Sequence, residues 1–197
     1  GTKVSVTGEA GGPILEGNTH DGIHTAGSAD STERADVSVK GYDVDVKGDG
    51  RGVTVMTGGH VDIQGDNTVT IAGSLEEGKP NPYAAIRIEN SGGRVDISKR
   101  TGEGSETNRM EKVELTGSNG VRVLGPTAEG YTDNESIVTV SDAKLVKIET
   151  AGAVLEGIDD TGDGMIVQNG GQVAMDNIGD LSISAYKRGL HVKDGGS

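Results

Sequence analysis

A short segment recurs along the chain in which a Gly or Ala precedes an alternation of apolar and polar residues. Six clear copies and a weaker seventh, at Ala153–Leu155, follow one another, mostly at intervals of about 25 to 35 residues. Alternating segments repeated at such an interval are typical of a solenoid, in which each repeat contacts only its neighbours. The six clear copies are Gly22–Thr25, Gly52–Val55, Ala85–Ile88, Gly120–Val123, Gly164–Val167 and Gly189–Val192.

Each repeat contains three short strand-like segments joined by turns. In the second repeat these are Val53–Val55, Val61–Ile63 and Val69–Ile71, each starting eight residues after the one before. We therefore expect an all-β fold, a right-handed parallel β-helix with three strands per coil and about six coils. Ladders of Val, Ile, Leu and Met are expected to face inward. Double-glycine corners lead into the second strand at Gly58-Gly59, Gly92-Gly93 and Gly170-Gly171.

The repeats differ in length because polar, Gly-rich stretches are inserted between their strands. Such insertions are expected at corners, since an odd residue inside a strand turns its apolar face outward. Both ends of the sequence have the pattern of a strand or a corner, so we expect residues 1–197 to be a single domain and a fragment of a longer β-helix. The insertions are residues 26–34, 73–82, 99–109, 125–135 and 150–163.

The composition disfavours several classes of partner. The chain has 18 basic and 31 acidic residues, a net charge of −13, which disfavours nucleic acids and anionic membrane surfaces because both bind basic patches. It has no run of about 20 apolar residues, so we expect no membrane insertion by this segment. The absence of Cys rules out disulfides and Cys-ligated metal sites.

Two arginines are the candidate binding residues. Arg87 and Arg122 occupy the same outward position in consecutive repeats, so the two guanidinium groups are able to hold an acidic glycan between them. The alternative is that both are solvated side chains, balanced by Asp62 and Asp96 on the second strands. The outward positions of the first strands, the first-strand ladder, are His24, Thr54, Arg87, Arg122, Ile166 and His191.

One acidic corner is the candidate metal site. Asp159–Gly164 approximates the first half of a calcium-binding loop, with Asp159 and Asp163 at ligand positions. Thr161 stands at the third position and Gly170 at the twelfth, where a Glu is usual. Acidic, Gly-rich corners also occur for conformational reasons alone. Calcium is therefore the one candidate ion, and no other cofactor is expected.

A pair of carboxylates is the candidate catalytic feature. Asp62 and Asp96 occupy equivalent positions in consecutive repeats, so their side chains are expected roughly 5 Å apart, a separation that suits a retaining glycosidase. A sugar cleft usually also carries aromatic platforms, and the four Tyr, the only aromatic residues, supply few. We therefore expect no enzymatic activity and keep a polysaccharide-active enzyme or a glycan-binding module as the alternative.

The Gly-rich, Cys-free and aromatic-poor strands, the double-glycine corners and the Asn-, Asp- and Gly-rich insertions resemble the passenger regions of bacterial autotransporters and related large surface adhesins. The resemblance covers almost the whole chain. It implies an extracellular, non-catalytic stalk displayed on a bacterial cell surface. The insertions of such a stalk contact a host or bacterial glycan or protein, and self-association is a further expectation.

Overall fold

A computed structural model describes residues 2–8, 12–27, 34–74, 83–101, 108–150 and 162–197. These residues form fourteen β-strands and no helix. The strands are β1 (Lys3–Thr7), β2 (Ile14–Gly17), β3 (Ile23–Ala26), β4 (Asp36–Gly48), β5 (Val53–Met56), β6 (Gly59–Ala72), β7 (Ala84–Ile88), β8 (Gly93–Lys99), β9 (Met110–Gly117), β10 (Asn119–Leu124), β11 (Ser136–Thr150), β12 (Asp163–Gln168), β13 (Gln172–Ser184) and β14 (Arg188–Lys193).

Within this part of the chain, the structure contains no helix that is long and apolar enough to cross a membrane.

The strands form two sheets in which every described pairing is parallel. The six-stranded sheet has the order β3-β5-β7-β10-β12-β14, so it contains the first strand of each successive repeat. The eight-stranded sheet has the order β1-β4-β6-β8-β11-β13, with β2 paired to β4 and β9 paired to both β6 and β11. Each strand thus pairs with its equivalents in the preceding and following repeats. This all-β arrangement is compatible with a parallel β-solenoid.

The pairing register agrees with the alignment of the six clear sequence copies. In the six-stranded sheet, Val53 pairs with Ile23 on one side and with Ile86 on the other. The same rung continues through Val121 and Met165 to Leu190. The inward position of every first strand is therefore apolar, as the alternation predicts. The weak seventh copy lies outside the described residues.

The second and third predicted strands of a repeat are continuous in most of the structure. The strands β4, β6, β11 and β13 each span both segments, and only β8 and β9 are separate. Backbone pairing continues through the bend because single residues absorb it. Asp142 and Asn177 adopt left-handed backbone angles, with φ of 56° and 52°. Between β4 and β6 the register shifts after Gly41, where β6 contains one extra residue.

The core consists of stacked aliphatic side chains between the two sheets. The inward residues of β5, β7 and β10 have no solvent exposure, and those of the middle of β6 and β11 are equally buried. Pairs of like β-branched residues fit because parallel, in-register strands place the same rotamers one above another. The most fully buried large side chains include Ile63, Ile71, Ile86, Ile88, Ile97, Leu115 and Ile148.

The two glycines of each corner serve different purposes. The first glycine has a left-handed backbone, with φ of 71° at Gly58, 80° at Gly92 and 77° at Gly170, which L-residues rarely adopt. The second glycine packs against the first strand of the previous repeat. A Cβ at Gly93 would overlap with Cγ1 of Val55, and a Cβ at Gly171 would lie 2.9 Å from Cγ1 of Val123. The corner thus needs both conformational freedom and space.

We expect Gly93→Ala to lower the free energy of unfolding by about 1–3 kcal/mol, because its methyl group overpacks against Val55. Urea denaturation of the single and double variants measures this. In a double-mutant cycle, Val55→Ala should relieve part of the loss caused by Gly93→Ala. Val55→Ala should show no coupling to Gly170→Ala, since nothing lies within 4 Å of a Cβ at Gly170. Equal coupling in both cycles would contradict this account of the corner.

Candidate functional site

The two candidate binding arginines are neighbours in the six-stranded sheet. Arg87 on β7 and Arg122 on β10 occupy the same rung. The Arg87 guanidinium pairs with Glu89, the residue directly after β7, with Nε 2.9 Å from Oε1 and Nη2 donating to Oε2 at 2.9 Å. Arg87 is therefore balanced by Glu89 and not by Asp62 or Asp96.

A third guanidinium lies close to this pair. Burial lowers the pKa of Arg87, and the nearby charges of Arg51 and Arg122 lower it further, while Glu89 opposes the change. The Arg87 side chain is 17% exposed. Two further cationic side chains thus lie near Arg87, while Glu89 is the anionic partner of Arg87 and Asp21 that of Arg51.

The first-strand ladder is less solvated than its outward direction predicts. Thr54 is 1% exposed and Ile166 is fully buried, although both point away from the aliphatic core. His24, by contrast, has a half-exposed side chain.

The two candidate catalytic carboxylates also lie on one rung, where Asp62 of β6 pairs with Asp96 of β8. Asp96 accepts hydrogen bonds from Arg94 Nε at 2.6 Å and from His60 Nε2 at 2.9 Å. Burial alone raises the pKa of Asp96, but these hydrogen bonds and charges outweigh it and lower the pKa to about 2. Asp62 accepts a hydrogen bond from Gln64 Nε2 at 2.8 Å.

A carboxyl that acts as a general acid in glycoside hydrolysis needs a raised pKa. The pKa of Asp96 is shifted in the opposite direction, which opposes the acid role, and the hydrogen bonds from Arg94 and His60 hold this carboxylate in place.

Asp163, a candidate calcium ligand, is fully buried at the start of β12. Its two carboxylate oxygens accept hydrogen bonds from Arg188 Nε at 2.8 Å and Arg188 Nη2 at 2.7 Å. His191 Nδ1 lies 3.0 Å from Oδ2, and the backbone N–H of Asp163 donates to Asn119 Oδ1 at 3.1 Å. The carboxylate thus joins β12 to β14 through charge-assisted hydrogen bonds.

The other candidate calcium ligand, Asp159, lies outside the described residues. Within the described residues, no group of three or more His, Asp or Glu is placed to hold a metal ion. Calcium binding by this corner therefore stays a prediction.

A cluster around Asp21, at the other end of the six-stranded sheet from Asp163, was not predicted from the sequence. Asp21 accepts a hydrogen bond from the backbone N–H of Arg51 at 3.1 Å and lies 3.0 Å from His24 Nδ1. Burial raises the pKa of Asp21, but the hydrogen bonds and the charge of Arg51 outweigh it and lower the pKa below 3.8. The sequence signal is the residue directly before the Gly or Ala that begins each copy. In successive copies it is Asp21, Arg51, Ala84, Asn119, Asp163 and Arg188.

Of the five insertions, only the 125–135 insertion is described throughout its length. It is anchored to the preceding repeat by hydrogen bonds at both of its ends. The backbone N–H of Thr127 donates to the Asn90 carbonyl at 2.9 Å, and that of Gly93 donates to the Glu135 carbonyl at 2.6 Å. Asn134 Nδ2 donates to the Ser91 carbonyl at 2.7 Å. This insertion is thus fixed against the sheet.

The 125–135 insertion forms one wall of a polar cleft, whose other wall is the start of β13 and the corner before it. The cleft has a volume of about 490 Å³. It presents a guanidinium, a carboxylate, carboxamides and hydroxyls, a combination that suits the hydroxyl groups of a carbohydrate. Its lining residues are Arg94, Pro126, Thr132, Asn134, Glu135, Ser136, Ile137, Asn169, Gly170 and Gln172.

Comparison of the chain with protein families, curated proteins and solved structures gives no match.

Because of the hydrogen bonds to Asp96, we expect the free energy of unfolding to decrease at low pH. The pKa of Asp96 is about 2 in the folded chain and near 3.8 without these partners. Its contribution is therefore fully present above about pH 4 and is lost as the pH falls towards 2, a loss of about 2 kcal/mol. Urea denaturation at a series of pH values should show this loss in the wild type and a flatter acid limb in Asp96→Asn. The exposed Asp133→Asn is the matched control and should keep the wild-type profile.

Proposed function

We propose that this chain is a non-catalytic glycan-binding module of an extracellular bacterial adhesin or passenger stalk. The observation that carries the proposal is the polar cleft beside the 125–135 insertion. A solenoid supplies a long, regular scaffold, and insertions at its corners supply the variable surface for recognition. Residues of the cleft come from three successive repeats, so the cleft exists only where the strands are stacked.

The finer architecture that we propose is a right-handed coil with three faces and about six turns. The separate strands β8 and β9 support three faces, because they pair with the first and second halves of both β6 and β11. Right-handed connections are the strong preference for parallel strands within one sheet.

The cleft chemistry favours an uncharged or weakly charged sugar as ligand. Arg94 is already bonded to Asp96 at 2.6 Å, and Glu135 lies 3.5 Å from its second nitrogen, so the local charges are largely balanced. Carboxamides such as those of Asn169 and Gln172 both donate and accept, as sugar hydroxyls do. A bacterial or host surface glycan therefore fits this cleft better than a strongly anionic partner.

The rival function is a polysaccharide-active enzyme that uses Asp62 and Asp96. Their shared rung favours it, but the lowered pKa of Asp96 opposes the acid role, and its hydrogen bonds from His60 and Arg94 favour a fixed structural carboxylate.

We expect a glycan array to identify a neutral oligosaccharide that binds the chain through the cleft. Replacing Gln172, an exposed residue of the lining, by Ala should weaken that binding about tenfold, since one lost hydrogen bond is worth about 1.4 kcal/mol. Titration calorimetry on the best array ligand measures the change. Lys144→Ala, on the exposed part of β11 away from the cleft, is the control and should bind as the wild type does.

Three results would oppose the proposal: no array ligand, an array ligand whose binding is unaffected by Gln172→Ala and Glu135→Gln, or cleavage of a polysaccharide that disappears in Asp62→Asn.

The arginine pair has its own prediction. A glycan held by Arg87 and Arg122 has to be anionic, and the net charge of −13 opposes it. Such binding should be weak and should decrease as salt rises. An Arg87→Ala, Arg122→Ala double variant should lose only this salt-sensitive binding and keep that of the neutral ligand. If the double variant instead loses the neutral ligand, the ligand binds on the face that carries Arg87 and Arg122 and not in the cleft.

A further inference from the structure

The guanidinium group of Arg51 has a buried donor without an acceptor. Arg51 lies two residues before β5, and its Nε is buried and makes no hydrogen bond to any described residue. Its ion-pair partner is Asp21, whose Oδ2 lies 3.8 Å from Nη1, which is too long for a hydrogen bond. Asp21 therefore offsets the charge of Arg51 and leaves the Nε–H donor unsatisfied. Buried donors of this kind are destabilising and rare, and an ion-binding site is one place where they occur.

A second guanidinium group lies on the neighbouring strand with one of its edges already occupied. Arg87 is on β7, which pairs with β5, and its Nε and Nη2 face the two carboxylate oxygens of Glu89. These two nitrogens form one edge of the planar group, so Nη1 is directed away from Glu89 and towards other acceptors. The side chains of Arg51 and Arg87 are 21% and 17% exposed, so solvent reaches both of them.

Positive charge is concentrated around Arg87. Burial lowers the pKa of Arg87 most, and the charges of Arg51 and Arg122 lower it further, whereas Glu89 raises it. Arg122 occupies the rung of Arg87 on β10. Like charges held together on a partly buried surface repel one another, and an anion among them is attracted to each of them. This face of the sheet therefore favours an anion, although the chain as a whole has a net charge of −13.

The donors specify the chemistry of the anion. A guanidinium group donates hydrogen bonds and never accepts them, so its ligand has to supply acceptor atoms. The planar, fixed array of its N–H groups matches the oxygens of phosphate or sulfate, and the resulting charge-assisted hydrogen bonds are strong. The oxygens of a tetrahedral oxyanion point in several directions. One such group is therefore able to accept from two arginines on neighbouring strands at once.

We infer that Arg51 and Arg87 form a binding site for a compact oxyanion, a sulfate or phosphate group that is either free or an ester on a sugar. The site differs from the pair Arg87 and Arg122 because its second guanidinium comes from the other side of β7. It lies on the six-stranded sheet, whereas Arg94 and Gln172 of the polar cleft lie on the eight-stranded sheet. The oxyanion site is thus separate from the proposed glycan cleft.

Titration calorimetry with inorganic sulfate tests the inference, with chloride at the same ionic strength as the reference. The wild-type chain should bind sulfate and not chloride. Arg51→Met and Arg87→Met should each weaken sulfate binding about tenfold or more, because each removes charge-assisted hydrogen bonds. Arg51→Lys should also weaken it, since lysine keeps the charge but lacks the planar array of donors.

Arg100→Met is the matched control. It removes a guanidinium that pairs with Asp66 directly after β8, and Lys99 still pairs with Asp66 in this variant. Its net charge changes as in Arg51→Met, so it should bind sulfate as the wild type does. Circular dichroism verifies the strand content of every variant. Arg51→Gln replaces Arg51→Met if that variant does not fold.

The outcomes separate the oxyanion site from the cleft. Gln172→Ala should bind sulfate as the wild type does, and Arg51→Met should keep any neutral ligand of the cleft. Tighter binding of a sulfated monosaccharide than of free sulfate supports the site and assigns it to a glycan ester, whereas equal binding supports it as a site for the free ion. The inference is overturned if the wild type binds sulfate no better than chloride, if Arg51→Met or Arg51→Lys binds it unchanged, or if Arg100→Met loses as much binding as Arg51→Met.

Discussion

Parallel pairing in a fixed register is the constraint on which the rest of this structure depends. It places equivalent residues of successive repeats about 4.8 Å apart, so each position of the repeat becomes a ladder. This stacking stabilises ladders of aliphatic side chains, but in ladders of charged side chains it places like charges next to each other. The pairs Asp62–Asp96 and Arg87–Arg122 bring like charges onto neighbouring strands.

The chain offsets this repulsion mainly along its strands. Residues two apart on one strand share a face, and oppositely charged residues occupy such positions repeatedly. These pairs are Asp45–Lys47, Arg94–Asp96, Lys112–Glu114 and Lys147–Glu149, and Arg87 pairs in the same way with Glu89 directly after β7. The cleft and the face that carries Arg87 and Arg122 therefore both contain local ion pairs, which offset much of the charge there.

Much of the fold follows from the sequence because the inward alternation specifies the register. The rung from Ile23 to Leu190 is readable from the aligned copies alone. The short strand β2 was missed, because Ile14–Gly17 lacks the Gly-led pattern and forms through its pairing with β4. The merging of the second and third strands was also missed, since it depends on left-handed angles at Asp142 and Asn177, residues that read as ordinary turn formers.

The candidate site was predictable only in part. The adjacency of Arg87 and Arg122 follows from register, whereas the partner Glu89 is found only when residues two positions apart in the sequence are compared. The cleft was not foreseeable, since its shape depends on how the 125–135 insertion folds back onto Asn90 and Ser91. Asp163 reads as part of a loop motif, but the residue that binds it most closely, Arg188, is 25 positions away.

The orientation of the backbone hydrogen bonds has a mechanical consequence. In stacked parallel strands these bonds run between repeats, along the direction in which the repeats follow one another. A pulling force in that direction is carried in series by every junction, so the molecule yields first at its weakest one. The bidentate pair between Asp163 and Arg188 reinforces the junction of β12 and β14. Rupture under tension is therefore expected to start elsewhere in the stack.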